Sequence, residues 1–162
     1  MISSVLQYKA CYDSPIGLIE VKASNQGITS VFFVEKKTEE TNKNKIIDDC
    51  LSQLDQYFAK KRKNFEIPLD ITGTDFQKKV WSELLKTPFG KTFSYLDIAI
   101  ALGDKNSIRA VGNANGKNPI AIIVPCHRVI GADGKLVGYA GGIERKRWLL
   151  EFEGATADLF SK

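Results

Sequence analysis

A chain of 162 residues has room for one domain or two small ones, and a hydrophobic share of 43% supports a packed core. Its longest apolar stretch, residues 119–125, is far too short to span a bilayer, and the opening "MISSVLQYKACYDS" lacks the charged start and long apolar run of a signal peptide. A cytoplasmic, intracellular protein with no membrane contact is expected, its three cysteines thiols rather than disulfides. The net charge of +4 is uneven: residues 1–72 carry ten Lys/Arg and ten Asp/Glu, residues 73–162 thirteen and nine. A basic second half points mildly to a polyanion, but an excess of four is also ordinary for a solvated surface, the plainer reading of charge alone.

Along the chain, "GLIEVKAS" (17–24) and "GITSVFFV" (27–34) are rich in β-branched and aromatic residues and are joined through "NQG", which predicts a hairpin. Residues 35–45 read as a charged loop. Residues 46–60 place Ile47, Leu51, Leu54 and Phe58 at helical spacing. A basic segment followed by proline and glycine sets a linker at 61–73. Thr74 with Gln77 forms a capping box for a helix whose apolar stripe is Phe76, Val80, Trp81, Leu84 and Leu85. Ser94 with Asp97 opens a second helix that Gly103 ends. A third, short helix runs through "DKNSIRAVGNANG" to Asn115 and Gly116, so the pair has the outline of a helix-turn-helix. Its side chains are mostly small (Ala110, Gly112, Ala114), which suits close packing inside the domain. The apolar run to Pro125 reads as a strand ended abruptly by proline. A glycine-rich loop (131–142) follows, then a last helix with Trp148, Leu149 and Phe152 inward.

Chemistry is concentrated in "IIVPCHRVIG" (122–131), which holds the only histidine. A free thiol is mostly protonated at neutral pH, so a nucleophilic cysteine needs a base or a positive field. His127 is the one imidazole available. Of its possible partners, Cys11 opens a strand-like stretch, Cys50 lies beside Asp48 and Asp49, whose charge disfavours a thiolate, and Cys126 adjoins His127 and Arg128. Cys126 is favoured. Successive side chains of an extended backbone point apart, so either the chain turns sharply or a water links the two groups; the water-linked arrangement, with His127 inward, is favoured. An inward imidazole needs an acceptor to hold its tautomer, and the last helix offers Glu144, Glu151 and Glu153, the last at the helix end. One histidine and three scattered cysteines without a C-x-x-C pair make no zinc site.

"PCHRVIG" (125–131), "GNANGKNP" (112–119) and "GYAGGIERKRWLLEFEG" (138–154) resemble the O6-alkylguanine-DNA alkyltransferase family almost continuously over 74–154. The resemblance implies an α+β chain: a small N-terminal α/β, ribonuclease H-like domain (1–72), then a helical domain with a winged-helix-like helix-turn-helix (73–162). It implies repair without a cofactor by a monomer acting on double-stranded DNA that carries O6-alkylguanine. The helix-turn-helix enters the minor groove, the damaged base is flipped out, and its alkyl group moves irreversibly to Cys126, one turnover per molecule. His127 then deprotonates Cys126 through water, Glu153 orients His127, Tyr95 meets the base ring nitrogen, and Asn118 is braced in a turn at the site. Arg109 fills the vacated stack, with Ala110, Gly112, Asn115, Tyr95 and Arg128 against DNA. Val129, Tyr139 and Ala140 line the base pocket. Ala140 stands where many relatives carry serine, so a hydroxyl contact to the alkylated oxygen is absent, and no histidine in the first half could hold a zinc ion. Two rivals remain: a cysteine hydrolase or acyltransferase, and a helix-turn-helix protein without chemistry. Adjacent nucleophile and base fit the hydrolase poorly.

Overall fold

The computed structural model describes residues 7–39 and 42–155. Residues 40 and 41 of the charged loop lie outside it. The chain divides into two compact units, Met1–Thr72 and Gly73–Lys162.

In the first unit, β1 (Tyr8–Ser14), β2 (Gly17–Ala23) and β3 (Ile28–Val34) form an antiparallel sheet in that order. The expected hairpin is β2–β3. β1 contains Cys11, expected at the start of a strand-like stretch, and begins three residues before it; it joins β2 through a tight turn at which Gly17 takes φ +126°, a conformation that favours glycine. Ala10, Ile19, Val21, Val31 and Phe33 are buried on one face. The helix α1 (Lys45–Phe58) is N-capped by Asn44, whose side chain accepts from the Ile47 amide. Its buried residues are Ile47, Cys50, Gln53, Leu54 and Tyr57, so the inner stripe is rotated from the expected one and leaves Leu51 and Phe58 half-buried. The segment expected as a linker is partly tied into this unit. Ile28 donates to Pro68 O and accepts from the Asp70 amide, and Gln53 exchanges hydrogen bonds with the Glu66 backbone. Gly27 is required there, since a Cβ would meet the Leu69 backbone at 2.7 Å.

In the second unit, Thr74 and Gln77 close the capping box that opens α2 (Asp75–Leu84). Its buried residues are Val80, Trp81 and Leu84; Phe76 and Leu85, counted in the stripe, are exposed because they flank it rather than face inward. Ser94 and Asp97 form a second capping box at the start of α3 (Tyr95–Ala101), and Gly103 follows it at φ +91°. A 3-10 turn (Lys105–Ser107) leads into α4 (Ile108–Gly116). α2 packs on α4, with Trp81 Nε1 donating to Ala114 O at 2.9 Å. β4 (Phe93–Ser94) pairs in parallel with β5 (Val129–Ile130). α5 (Ile143–Phe152) buries Lys146, Leu149 and Leu150. Trp148 and Phe152, expected inward, are half-buried and stack on each other at 4.8 Å, while Lys146 takes the inner position. Among the described residues no helix is long and apolar enough to cross a membrane.

Candidate active site

Residues 119–125 form a turn, buried from Ile120 onward, instead of the expected strand. An unbroken apolar run carries no periodicity, so a strand and a buried loop read alike. Asn118 shapes this turn from within: its Nδ2 donates to Ile120 O and Val124 O at 3.2 and 2.8 Å, and its Oδ1 accepts from the Ile120 amide at 2.9 Å. Ile122 takes φ +69°, a strained conformation for a β-branched residue, and its side chain is buried. The chain then folds into a 3-10 turn, Cys126–Arg128, all three residues buried. The sharp turn answers the adjacency problem, since it turns the His127 side chain away from extended geometry and into the protein.

The imidazole of His127 is fully buried, its Nε2 2.9 Å from Glu153 Oε2. Glu153 caps the end of α5. Arg128 Nε and Nη2 donate to the two oxygens of the same carboxylate at 2.8 and 3.0 Å, and Nη1 donates to Thr87 O at 2.6 Å. Burial alone would push the Glu153 carboxyl up; the contacts with His127 and Arg128 outweigh it and hold it well below its usual range. A carboxylate that stays ionised only accepts, so Nε2 carries the ring proton and Nδ1 keeps its lone pair. Burial pulls His127 below its ordinary pKa of 6.5; Glu153 opposes this, and the charges of Arg128 and Lys146 add to it. His127 Nδ1 has no protein hydrogen-bond partner among the described residues, the Cys126 sulfur included. The site therefore holds a neutral base with its accepting nitrogen uncommitted.

Burial pushes the Cys126 thiol up, while the Asn118 side chain and the Lys146 ammonium pull it down. Lys146 is fully buried and donates to Val137 O and Gly138 O at 3.0 and 3.3 Å. Burial lowers its pKa to about 8, with Cys126 acting the other way. Tyr95 OH donates to the same Val137 O at 3.1 Å. Burial raises its pKa, the Cys126 charge adds to this, and a hydrogen bond from Asn115 opposes it. The Tyr139 hydroxyl is buried without a hydrogen-bond partner among the described residues, and burial, then Cys126, hold its pKa well above 10.0. Cys50, the rival thiol, is pushed up to about 12 by burial, not by the neighbouring aspartates.

The residues assigned to DNA divide. Arg109 and Ala110 are exposed on α4. Gly112 turns toward Tyr95, where a Cβ would lie 3.8 Å from the ring. Asn115 is 3% exposed, and its Nδ2 reaches Cys126 O at 3.4 Å. Arg128, 6% exposed, is committed to Glu153 and Thr87. Placing Asn115 and Arg128 against DNA is therefore incorrect: both belong to the interior around Cys126. In the assigned base pocket, Val129 is buried with its amide on Cys126 O, and Ala140 is exposed. Sequence reasoning missed Lys146, although its spacing from Leu149 and Leu150 places it on the inner face of α5.

The comparisons agree with this architecture. Residues 75–155 match the family model described as the 6-O-methylguanine DNA methyltransferase DNA binding domain, and residues 7–71 match the ribonuclease-like domain of the same family. The methylated-DNA–protein-cysteine methyltransferase of Mycobacterium tuberculosis is 48% identical over 150 residues, covering 90% of this chain and 91% of that protein. Its namesake in Methanosarcina acetivorans is 45% identical over 154 residues, covering 91% and 99%. The crystal structure of Mycobacterium tuberculosis OGT in complex with DNA superposes with a TM-score of 0.80 at 45% identity, covering 95% of this chain and 98% of that one. The chain belongs to the 6-O-methylguanine DNA methyltransferase family.

Proposed function

We propose that this protein repairs O6-alkylguanine in duplex DNA by moving the alkyl group to Cys126, once per molecule. The supporting observation is the buried series Cys126, His127, Glu153, the first two on one 3-10 turn and the third at the end of α5, with the imidazole neutral and Nδ1 uncommitted. The thiol proton passes to Nδ1, through a water, as sulfur attacks the saturated carbon. An S–C bond forms, the C–O6 bond breaks, and the proton finally neutralises the departing guanine. The product is a thioether, with no acyl group for water to release. Extrusion of the base costs a few kcal/mol, least for a badly paired one. Arg109, exposed on the first turn of α4, fills the gap, and Ala110 beside it is short enough for a narrow groove. Tyr95 exchanges Val137 O for the base ring nitrogen, and the segment at Tyr139 and Ala140 closes over the base.

Incubation with duplex containing O6-methylguanine, followed by intact-protein and peptide mass spectrometry, is expected to show one methyl on Cys126 and none on Cys126→Ala, which still binds DNA. Transfer that survives Cys126→Ala refutes the assignment, and repeated product release from one molecule favours a hydrolase. The cytoplasm is the compartment that fits a protein with these thiols.

A further inference from the structure

Arg128 is the residue the proposed chemistry leaves without a task. It lies on the same 3-10 turn as Cys126 and His127, yet its side chain is buried. Two of its nitrogens grip both oxygens of Glu153, the third holds Thr87 O just beyond α2, and the Phe89 ring lies 5.9 Å from its Cζ. Glu153 Oε2 thus serves two donors, Arg128 Nη2 and His127 Nε2.

Such a carboxylate has two opposed effects on the imidazole. It orients the ring by accepting from Nε2. It also attracts a second proton to Nδ1, because a buried negative charge beside an imidazole favours imidazolium. An imidazolium has no lone pair and cannot act as the base. The remaining charged and titratable groups facing the ring are few. Lys146 on α5 disfavours imidazolium, Cys126 belongs to the same turn, and Tyr139 on the 131–142 loop lies near both Cys126 and Glu153. Arg128 is the cation that grips the carboxylate making the difficulty.

Resting on the reading above, we propose that Arg128 is a positioning residue for the alkyl transfer: its bidentate contact fixes Glu153 Oε2 on His127 Nε2 and cancels the carboxylate charge, so that the imidazole is oriented without being protonated. Arginine suits the task, since its planar fork matches a carboxylate and its charge is permanent. Orientation by glutamate and neutrality of the base become compatible because the charge is paired on the far side of the carboxylate.

The presence of a single histidine makes the test direct, because every imidazole signal of the full-length 15N-labelled chain belongs to His127. In the wild type, long-range proton–nitrogen correlation is expected to show Nε2–H, a bare Nδ1, and titration only below 6.5. Arg128→Met and Arg128→Gln remove the charge, and the imidazole is expected to take up its proton about one to three pH units higher. Arg128→Lys keeps the charge and is expected to restore the neutral ring. An imidazole that titrates alike in the wild type and the neutral variants overturns the proposal, as does an Arg128→Lys protein whose ring is protonated like that of Arg128→Met. Should neither neutral variant fold, adding Glu153→Gln to Arg128→Met removes both buried charges and is expected to recover the fold; failure to recover it overturns the proposal. In the methyl-transfer assay, the acid limb of the rate profile moves up by the same interval in Arg128→Met, with the rate returning at alkaline pH. Wild-type protein that transfers no methyl group refutes the repair reading itself, whereas the titration of His127 judges Arg128 independently of it.

Discussion

Glu153 is the side chain on which three buried groups converge. Glu153→Gln leaves the Arg128 guanidinium buried without its counter-charge, and an unpaired buried ion of this kind costs about 3–5 kcal/mol. Denaturant unfolding should register that loss, and methyl transfer should slow as the ring loses its anchor. Arg109 is the opposite case. It is exposed on the first turn of α4, so Arg109→Ala should change the unfolding free energy by no more than about 0.5 kcal/mol while weakening DNA binding and slowing repair. Kinetics equal to the wild type would remove Arg109 from the proposed mechanism. At this scale, sequence reasoning reached the stretch 125–131 because the only imidazole adjoins a thiol there, and it reached Glu153 because a helix end lets a side chain turn back. It misplaced Arg128 and Asn115 because residue type suggests contact with DNA while burial decides, and burial of a polar residue is invisible until its partners are known. Lys146 was overlooked for the same reason.

Among the elements, the turn 118–125 is the least regular and the most consequential. Asn118 supplies three of its hydrogen bonds, and Asn118→Ala leaves buried backbone groups unpaired at about 1–3 kcal/mol each. A lower unfolding midpoint together with slower methyl transfer is expected; full activity would show that the turn holds its shape without the amide. Gly73→Ala is expected to displace Trp81, whose ring a Cβ would meet at 2.6 Å, and to disturb the α2–α4 packing, which tryptophan fluorescence can follow. Capping boxes were the most legible elements, because both bonds lie within four residues of sequence. Amphipathic stripes were legible in outline but rotated by a position or two: Leu51 and Phe58 gave way to Cys50 and Tyr57 on α1, and Trp148 and Phe152 to Lys146 and Leu150 on α5. The winning face depends on what packs opposite, which local spacing does not encode. The pairing of residues 68–70 with Ile28 is a contact of long sequence separation and had no local signature.

For the whole molecule, the buried site sets the response to acid. His127 lies below its unfolded value of 6.5 and Glu153 below 4.5, so in both windows the unfolded chain binds more protons than the native one. Stability is therefore present above these values and lost as pH falls, first below 6.5 and again below 4.5. Thermal melts across that range should show both declines, and Glu153→Gln should lack the lower one. DNA binding should weaken with added salt, though gently, since the charge excess of the second unit is only four. The close packing around Cys126 has a consequence after repair. A methyl carbon enlarges a side chain that is only 6% exposed, next to a turn already carrying a left-handed isoleucine, and overfilling a packed interior costs about 1–3 kcal/mol. The used protein should melt lower than the fresh one, by about 2–4 °C for each kcal/mol. Each copy would thus carry a physical record of having acted, readable by any quality-control protease that samples loosened chains.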